Sequence, residues 1–318
     1  MMTIRKPAKL VSGDCIGVIS PASPPHGEKK EQYGRGLQYL LDRGFRIKEG
    51  RHVFKEFGYL AGTDDERIED LNAMFADPQV QAIICSRGGY GTPRLLDKID
   101  YTAVKKHPKI LVGYSDITSL QLALFARTGL VSFSGPMVAV EMGKGIQPLT
   151  EKMFWPLLTS TRRLAMKARI DGMEPVLYRS GIAEGRLLGG CLSLIAPLLG
   201  TPYQPDFRGA ILVLEDIGEE VYGIDRYLVQ LKYAGVLKQI KGLVLGQFLD
   251  TIDPDKTMPD LTLEQVIREY THDLAIPILA NFPYGHNDIK YTMPIGCRVR
   301  LDASRKTLTM LEAGVIRG

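Results

Sequence analysis

The first half of the chain alternates short apolar runs with amphipathic stretches, and this alternation restricts the fold more than any other feature. Cys15–Ser20 is an apolar run stopped by the proline-rich stretch Pro21–Pro25. Glu28–Gly44 carries apolar residues at helical spacing and ends on glycine. Phe45–Gly50 is a second short strand. Thr63–Asp77 opens on a capping residue, has acids in its first turn, and places Ile68, Leu71, Met74 and Phe75 on one face. Val80–Ser86 is a third strand, and a short helix separates it from the run Ile110–Ser115. An amphipathic stretch, Ile117–Ala126, follows at once. Repeated strand–helix units of this kind predict a parallel sheet with helices on both faces. In such sheets ligands gather beyond the carboxyl ends of the strands.

From about Ala165 the rhythm changes. Residues 165–190 hold several short strand-like pieces separated by glycine turns. Ala210–Asp216 is a buried strand, Tyr222–Ile240 is helical and Gly242–Phe248 is a strand again. The tail, Tyr291–Gly314, alternates apolar and polar residues around turns, as a β-hairpin does. The predicted class is therefore α/β, with a parallel-sheet N-terminal domain and a smaller mixed α/β C-terminal domain. A length of 318 residues agrees with two domains, at roughly 100–200 residues each. The expected division is residues 1–160, a linker over 161–180 with Thr159–Arg163 at its start, and residues 181–318.

Hydrophobic residues make up 45% of the chain, which excludes global disorder. The net charge is +4 with acids and bases interleaved, and basic clusters such as Val104–Lys109 are too short to form a nucleic-acid surface. Cys15, Cys85, Cys191 and Cys297 are far apart, with no CxxC and no zinc-type spacing. They are expected as buried, reduced thiols, in keeping with a cytoplasmic protein. Met1–Asp14 has no apolar run of signal-peptide length, and Cys191–Gly200 is too short and interrupted to span a bilayer. No membrane, nucleic acid, metal or cofactor is expected.

The chemistry concentrates at "ILVGYSDIT", residues 110–118. A serine at a tight strand-to-helix turn has the geometry of a nucleophile elbow, with its hydroxyl clear of the sheet and helix N–H groups nearby. Gly113 keeps the first glycine of G-x-S-x-G, but Asp116 and Ile117 replace the rest. The alternative is that Ser115 or Asp116 simply caps the following helix. A nucleophilic serine needs a base. Of the five histidines, His26 lies in a proline-rich loop, His52 in a short polar strand, His107 in a lysine-rich surface loop and His272 on a helix. His286, in the polar, glycine-flanked loop Phe282–Asp288, is the one placed to enter a cleft. The base in turn needs an acid to hold its tautomer. Glu215 ends the apolar run Ala210–Leu214, where a carboxylate is costly unless paired or solvated, and its neighbour Asp216 could serve instead. Finally, Ser86–Leu96 follows a strand and contains three glycines. It lacks the phosphate-loop signatures. It suits an oxyanion hole in which one N–H comes from Gly88 or Gly89 and the other from Asp116, with an ordinary strand–helix turn as the alternative.

Five segments carry a family resemblance in register: "RGGYGTPRLL" (87–96), "GYSDIT" (113–118), "GGCLSL" (189–194), "LEDIGEEVYGIDRYL" (214–228) and "FPYGHND" (282–288) followed by "PIG" (294–296). Together they resemble the LD-carboxypeptidases, serine peptidases that include muramoyl-tetrapeptide carboxypeptidase and a microcin self-immunity peptidase. The resemblance runs from about Gly13 to Leu311. It implies Ser115 as nucleophile, Glu215 as triad acid, His286 as base, and the N–H groups of Asp116 and of Gly88 or Gly89 as oxyanion donors. It also implies a flavodoxin-like N-terminal domain, an active site in the crevice between domains, a homodimer, and a murein tetrapeptide as substrate, cleaved at its L,D bond to release D-Ala. A free terminal carboxylate invites a cation, and Arg87 adjoins the glycine loop. The rival readings are a microcin-type amide hydrolase, which a longer loop with an aromatic stacking residue would favour, and a non-catalytic small-molecule binding protein. No such insertion is evident.

Overall fold

The computed structural model describes residues 3–251 and 261–318. Five strands of the N-terminal half form a parallel sheet: β1 (Cys15–Ile19), β2 (Arg46–Glu49), β3 (Val80–Cys85), β4 (Ile110–Val112) and β5 (Ser132–Ser134). Their spatial order is β2-β1-β3-β4-β5, which is the flavodoxin-like order. β1 and β4 are buried throughout, and a strand covered on both faces reads as a continuous apolar run rather than an alternating one.

Helices α1 (Glu28–Asp42), α2 (Asp64–Ala76), α3 (Tyr101–Lys106) and α4 (Ile117–Thr128) connect the strands. The Thr63 hydroxyl accepts the Glu66 N–H and the Glu66 side chain reaches back, a complete capping box on α2. α4 departs from its amphipathic expectation, because every residue from Ile117 to Phe125 is buried. The cause is its position: the Thr118 hydroxyl accepts the Cys191 N–H at 3.1 Å and the Ser119 hydroxyl donates to the Leu194 carbonyl at 3.4 Å, so α4 touches the second half of the chain. His52 is in a turn rather than a strand, with Nδ1 3.1 Å from Asp70 Oδ1.

The second half forms a mixed sheet of β6 (Ala165–Lys167), β7 (Val176–Arg179), β8 (Ile182–Cys191), β9 (Ile211–Ile217), β10 (Gly242–Leu249) and β11 (Ile278–Ala280), with β13 (Arg298–Asp302) and β14 (Thr307–Met310). The order is β6-β14-β13-β8-β9-β10-β11-β7, with β8 to β11 parallel. The stretch 161–180 thus contributes two strands to opposite edges of this sheet. The helix expected over 222–240 is broken: Val221–Tyr233 ends before Gly235, whose φ of +75° starts a separate turn, Val236–Gln239.

One strand crosses between the halves. β12 (Met293–Ile295) pairs antiparallel with β5 at the edge of the first sheet, instead of joining the C-terminal hairpin. The segment 281–292 therefore leaves the second sheet at Ala280 and enters the first at Met293. Phe282, Tyr284 and Tyr291 bury along it, and the Tyr284 and Ser134 hydroxyls lie 2.8 Å apart. His286 sits midway along this bridge. Among the described residues, no helix is long and apolar enough to cross a membrane.

Candidate active site

Ser115 has φ +64°, a left-handed backbone that non-glycine residues rarely adopt. It is partly exposed, while Gly113, Tyr114, Asp116 and Ile117 around it are buried. A Cβ on Gly113 would lie 2.9 Å from Ile117 Cγ1, so the strand turns into α4 too sharply for a side chain there. Neither Ser115 nor Asp116 caps α4 through its side chain. Asp116 instead ties the turn to the glycine loop. Its carboxylate accepts the Thr92 N–H at 2.8 Å and its carbonyl accepts the Thr92 hydroxyl at 2.5 Å. Burial pushes the Asp116 carboxyl up to about 6, against the downward pull of those hydrogen bonds.

The glycine loop following β3 lies directly against the serine. A Cβ on Gly88 would meet Ser115 Cβ at 2.9 Å and Oγ at 3.1 Å. Gly89, at φ +125°, lies on Ser23. Arg67, fully buried, donates to the carbonyls of Pro21 at 2.6 Å and Gly91 at 3.0 Å, and so fixes the loops after β1 and β3 together. Among the described residues the Asp116, Gly88 and Gly89 N–H groups have no acceptor, and these are the donors that the sequence singles out. Arg87 is partly buried, and among the described residues its one hydrogen bond is a 3.5 Å contact to the Pro24 carbonyl.

Glu215 and His286 meet from two different elements of the second half. His286 Nδ1 lies 2.8 Å from Glu215 Oε2. Glu215 is wholly buried, and burial raises its carboxyl above the ordinary value although the His286 contact pulls it down. Glycine makes room for the pair: a Cβ on Gly285, whose φ is +132°, would lie 3.0 Å from Glu215 Oε2, and one on Gly246 would lie 2.3 Å from the Tyr284 carbonyl. Asp216 points the other way, where it accepts the Ser193 N–H at 2.7 Å and the Cys191 thiol at 3.2 Å. His26 and His272 are exposed and His107 ends α3, all outside this arrangement.

The serine and the histidine are joined through Tyr114. Its ring packs on the His286 imidazole with centroids 5.0 Å apart and planes at 66°. Among the described residues, Ser115 Oγ makes no hydrogen bond to His286; catalytic hydrogen bonds are often long before substrate binds. Beside His286 opens a cavity of about 220 Å³ whose walls include Tyr114, Glu141, Lys144 and Asp288. Sequence reasoning passed over Glu141, Lys144 and Lys290. For Glu141 a signal existed, since it is a lone charge in the apolar run Met137–Met142, and a buried charge demands a partner.

The serine turn thus packs against the glycine loop, and the His286–Glu215 pair packs on Tyr114, the residue next to that serine. Residues 16–135 match the LD-carboxypeptidase N-terminal domain, and residues 184–301 match the LD-carboxypeptidase C-terminal domain. The chain belongs to the LD-carboxypeptidase family. It is thus a serine-type peptidase, a hydrolase. A probable murein peptide carboxypeptidase of Bacillus subtilis is 41% identical, over 98% of this chain and 96% of that one. A muramoyltetrapeptide carboxypeptidase from Oxalobacter formigenes superposes with a TM-score of 0.80 at 31% identity, covering 96% of this chain and 100% of that one. A structure of MccF in complex with glutamyl sulfamoyl guanosine superposes with a TM-score of 0.89 at 26% identity, covering 98% and 99%.

Proposed function

We propose that this LD-carboxypeptidase removes the terminal D-alanine from a murein tetrapeptide through an acyl-enzyme formed on Ser115. The observation that carries the reading is the 2.8 Å His286–Glu215 contact, with the imidazole packed on Tyr114 next to a serine at positive φ. Glu215 fixes the imidazole so that Nε2 faces the serine side. His286 takes the Ser115 proton as Oγ attacks the carbonyl of the L,D bond. The N–H groups of Asp116 and of Gly88 or Gly89 hold the resulting oxyanion. His286 then gives its proton to the leaving amine, D-Ala departs, and water activated by the same imidazole hydrolyses the ester. Arg87, beside the glycine loop, and Lys144, on the wall of the cavity that holds His286, supply positive charge for the free carboxylate.

In this reading residues 1–160 carry the nucleophile, residues 181–318 carry the acid and base, and 161–180 join them. A cytoplasmic location is supported by four free, buried cysteines. A homodimer is supported by the family resemblance, and light scattering on the purified protein tests it.

The decisive experiment is a matched pair of tetrapeptides differing only in the last stereocentre. The D-Ala substrate should be cleaved with a kcat/KM on the order of a hundredfold or more above the L-Ala one, because a misplaced methyl group costs alignment as well as contact. Equal cleavage would end the LD-specific reading. The likeness to MccF raises a second reading, amide cleavage next to a modified nucleotide, so glutamyl sulfamoyl guanosine belongs in the same assay. Hydrolysis of that compound in preference to the tetrapeptide would favour the second reading.

A further inference from the structure

We propose that Tyr114, Glu141 and Lys290 form a buried positioning unit that holds the His286 loop over the serine turn and balances the charge around the imidazole. The inference rests on the reading of His286 as general base. The three residues come from distant parts of the chain. Tyr114 directly precedes Ser115, Glu141 lies in the π-helical turn Val138–Met142, and Lys290 follows His286 by four residues on the bridging segment.

Their contacts interlock. The Tyr114 hydroxyl donates to Glu141 Oε1 at 2.7 Å, Lys290 Nζ donates to the same oxygen at 2.5 Å, and the Met137 N–H donates to Oε2 at 3.0 Å. The Lys290 ammonium also lies over the Tyr114 ring, 3.9 Å from its centroid. The Tyr114 ring is thereby held by its hydroxyl and by one face while it packs on His286. Lys290 is itself fastened: its N–H donates to the Thr150 hydroxyl at 3.0 Å, and that hydroxyl donates to the Asp288 carbonyl at 3.4 Å. Lys290 is 2% exposed and Glu141 7%, so each charge depends on the other for compensation. Burial pushes the Glu141 carboxyl up, but the Lys290 ammonium and the hydrogen bonds from Met137 and Tyr114 outweigh it and hold the carboxyl below its ordinary value.

This pair is part of the electrostatic surroundings of His286. Glu215 contacts the imidazole directly, with Asp216 behind it; Tyr114 covers it; Asp288 stands on its own loop; and Glu141 and Lys144 share its cavity. Neutralising Lys290 leaves the Glu141 carboxylate uncompensated, which favours the imidazolium. Neutralising Glu141 leaves the Lys290 ammonium uncompensated, which opposes it. A scaffold that merely supports the loop predicts loss of activity without these opposed effects.

The test measures kcat and KM against pH on a murein tetrapeptide for Lys290→Met, Glu141→Gln and the double variant, with thermal melts alongside. Relative to the parent, the acid limb of kcat/KM should move up in Lys290→Met and down in Glu141→Gln, each by about half to one pH unit. In the double variant it should return near the parent position. At the optimum, kcat should fall about tenfold to a hundredfold in the single variants with KM nearly unchanged, since the base is displaced rather than the substrate site. Tyr114→Phe keeps the ring against His286, and should lower kcat without moving the limb. If Lys290→Met does not fold, Glu141→Gln decides alone, because its limb must move down. Limbs that stay in place, or move the same way in both single variants, overturn the proposal and leave the general-base reading standing. A parent enzyme with no acid limb between about pH 5 and 8, chemistry being limiting, overturns that reading as well.

Discussion

Gly88 and Ser115 touch so closely that a single added methyl group on Gly88 would overlap the serine side chain, 2.9 Å from its Cβ and 3.1 Å from its Oγ. The glycine loop after β3 and the turn after β4 are thus fitted to each other at Ser115 itself. Gly88→Ala is expected to keep the fold, because Gly88 is not among the positive-φ glycines. It should lower kcat on the order of a hundredfold by shifting Ser115 or the loop N–H groups. Steady-state kinetics with a melting curve check this, and near-parent kcat would show that the contact gives way without consequence.

Ser115 carries a strained backbone, and strain separates its two substitutions. Ser115→Ala should abolish turnover, by on the order of 10⁴-fold or more, and remain folded. Ser115→Gly should be equally inactive yet gain up to about 1 kcal/mol of stability, because glycine adopts φ +64° without the Cβ penalty. Chemical denaturation of both variants measures the difference. A Gly variant less stable than the Ala variant would contradict it.

Glu215→Gln retains the shape of the acid but not its charge. It should cost roughly 10³–10⁴ in kcat, since the amide neither fixes the right tautomer nor stabilises the imidazolium. Asp216→Asn, two-faced only by sequence, should cost far less in kcat, because Asp216 binds Ser193 and Cys191 rather than His286. Comparable losses in the two variants would reverse the assignment.

Asp116 gives stability a pH dependence of definite sign. Burial raises its carboxyl from an ordinary 3.8 to about 6. Between those values the folded chain keeps a proton that the unfolded chain has released. The stabilisation from Asp116 is therefore full below about pH 4 and is lost as pH rises through about 6. Asp116→Asn cannot titrate. The stability of the variant relative to the parent should rise from pH 4 to about 6 by on the order of 2–3 kcal/mol, then level off. Urea titrations at several pH values test the trend. A relative stability that falls over that range would contradict the burial argument.

Much of the molecule is written locally. The apolar runs of β1, β3 and β4, the capping box of α2 and the nine-residue strand–turn–helix around Ser115 all depend on neighbours within a few positions, so pattern alone exposes them. Candidate roles for Ser115, Glu215 and His286 were legible for the same reason, each being a polar residue at the carboxyl end of an apolar run or just beyond one. Tertiary structure alone decided the rest. Consecutive strand residues face opposite sides, so only the packing of the 281–292 bridge determines that Glu215, and not Asp216, meets His286. β12 pairs with β5 across more than 150 residues, α4 is buried all round because a second sheet lies against it, and Lys290 finds Glu141 149 positions away. Those pairings are set by which buried surfaces and charges can satisfy one another once both halves have packed, and no local pattern carries that information.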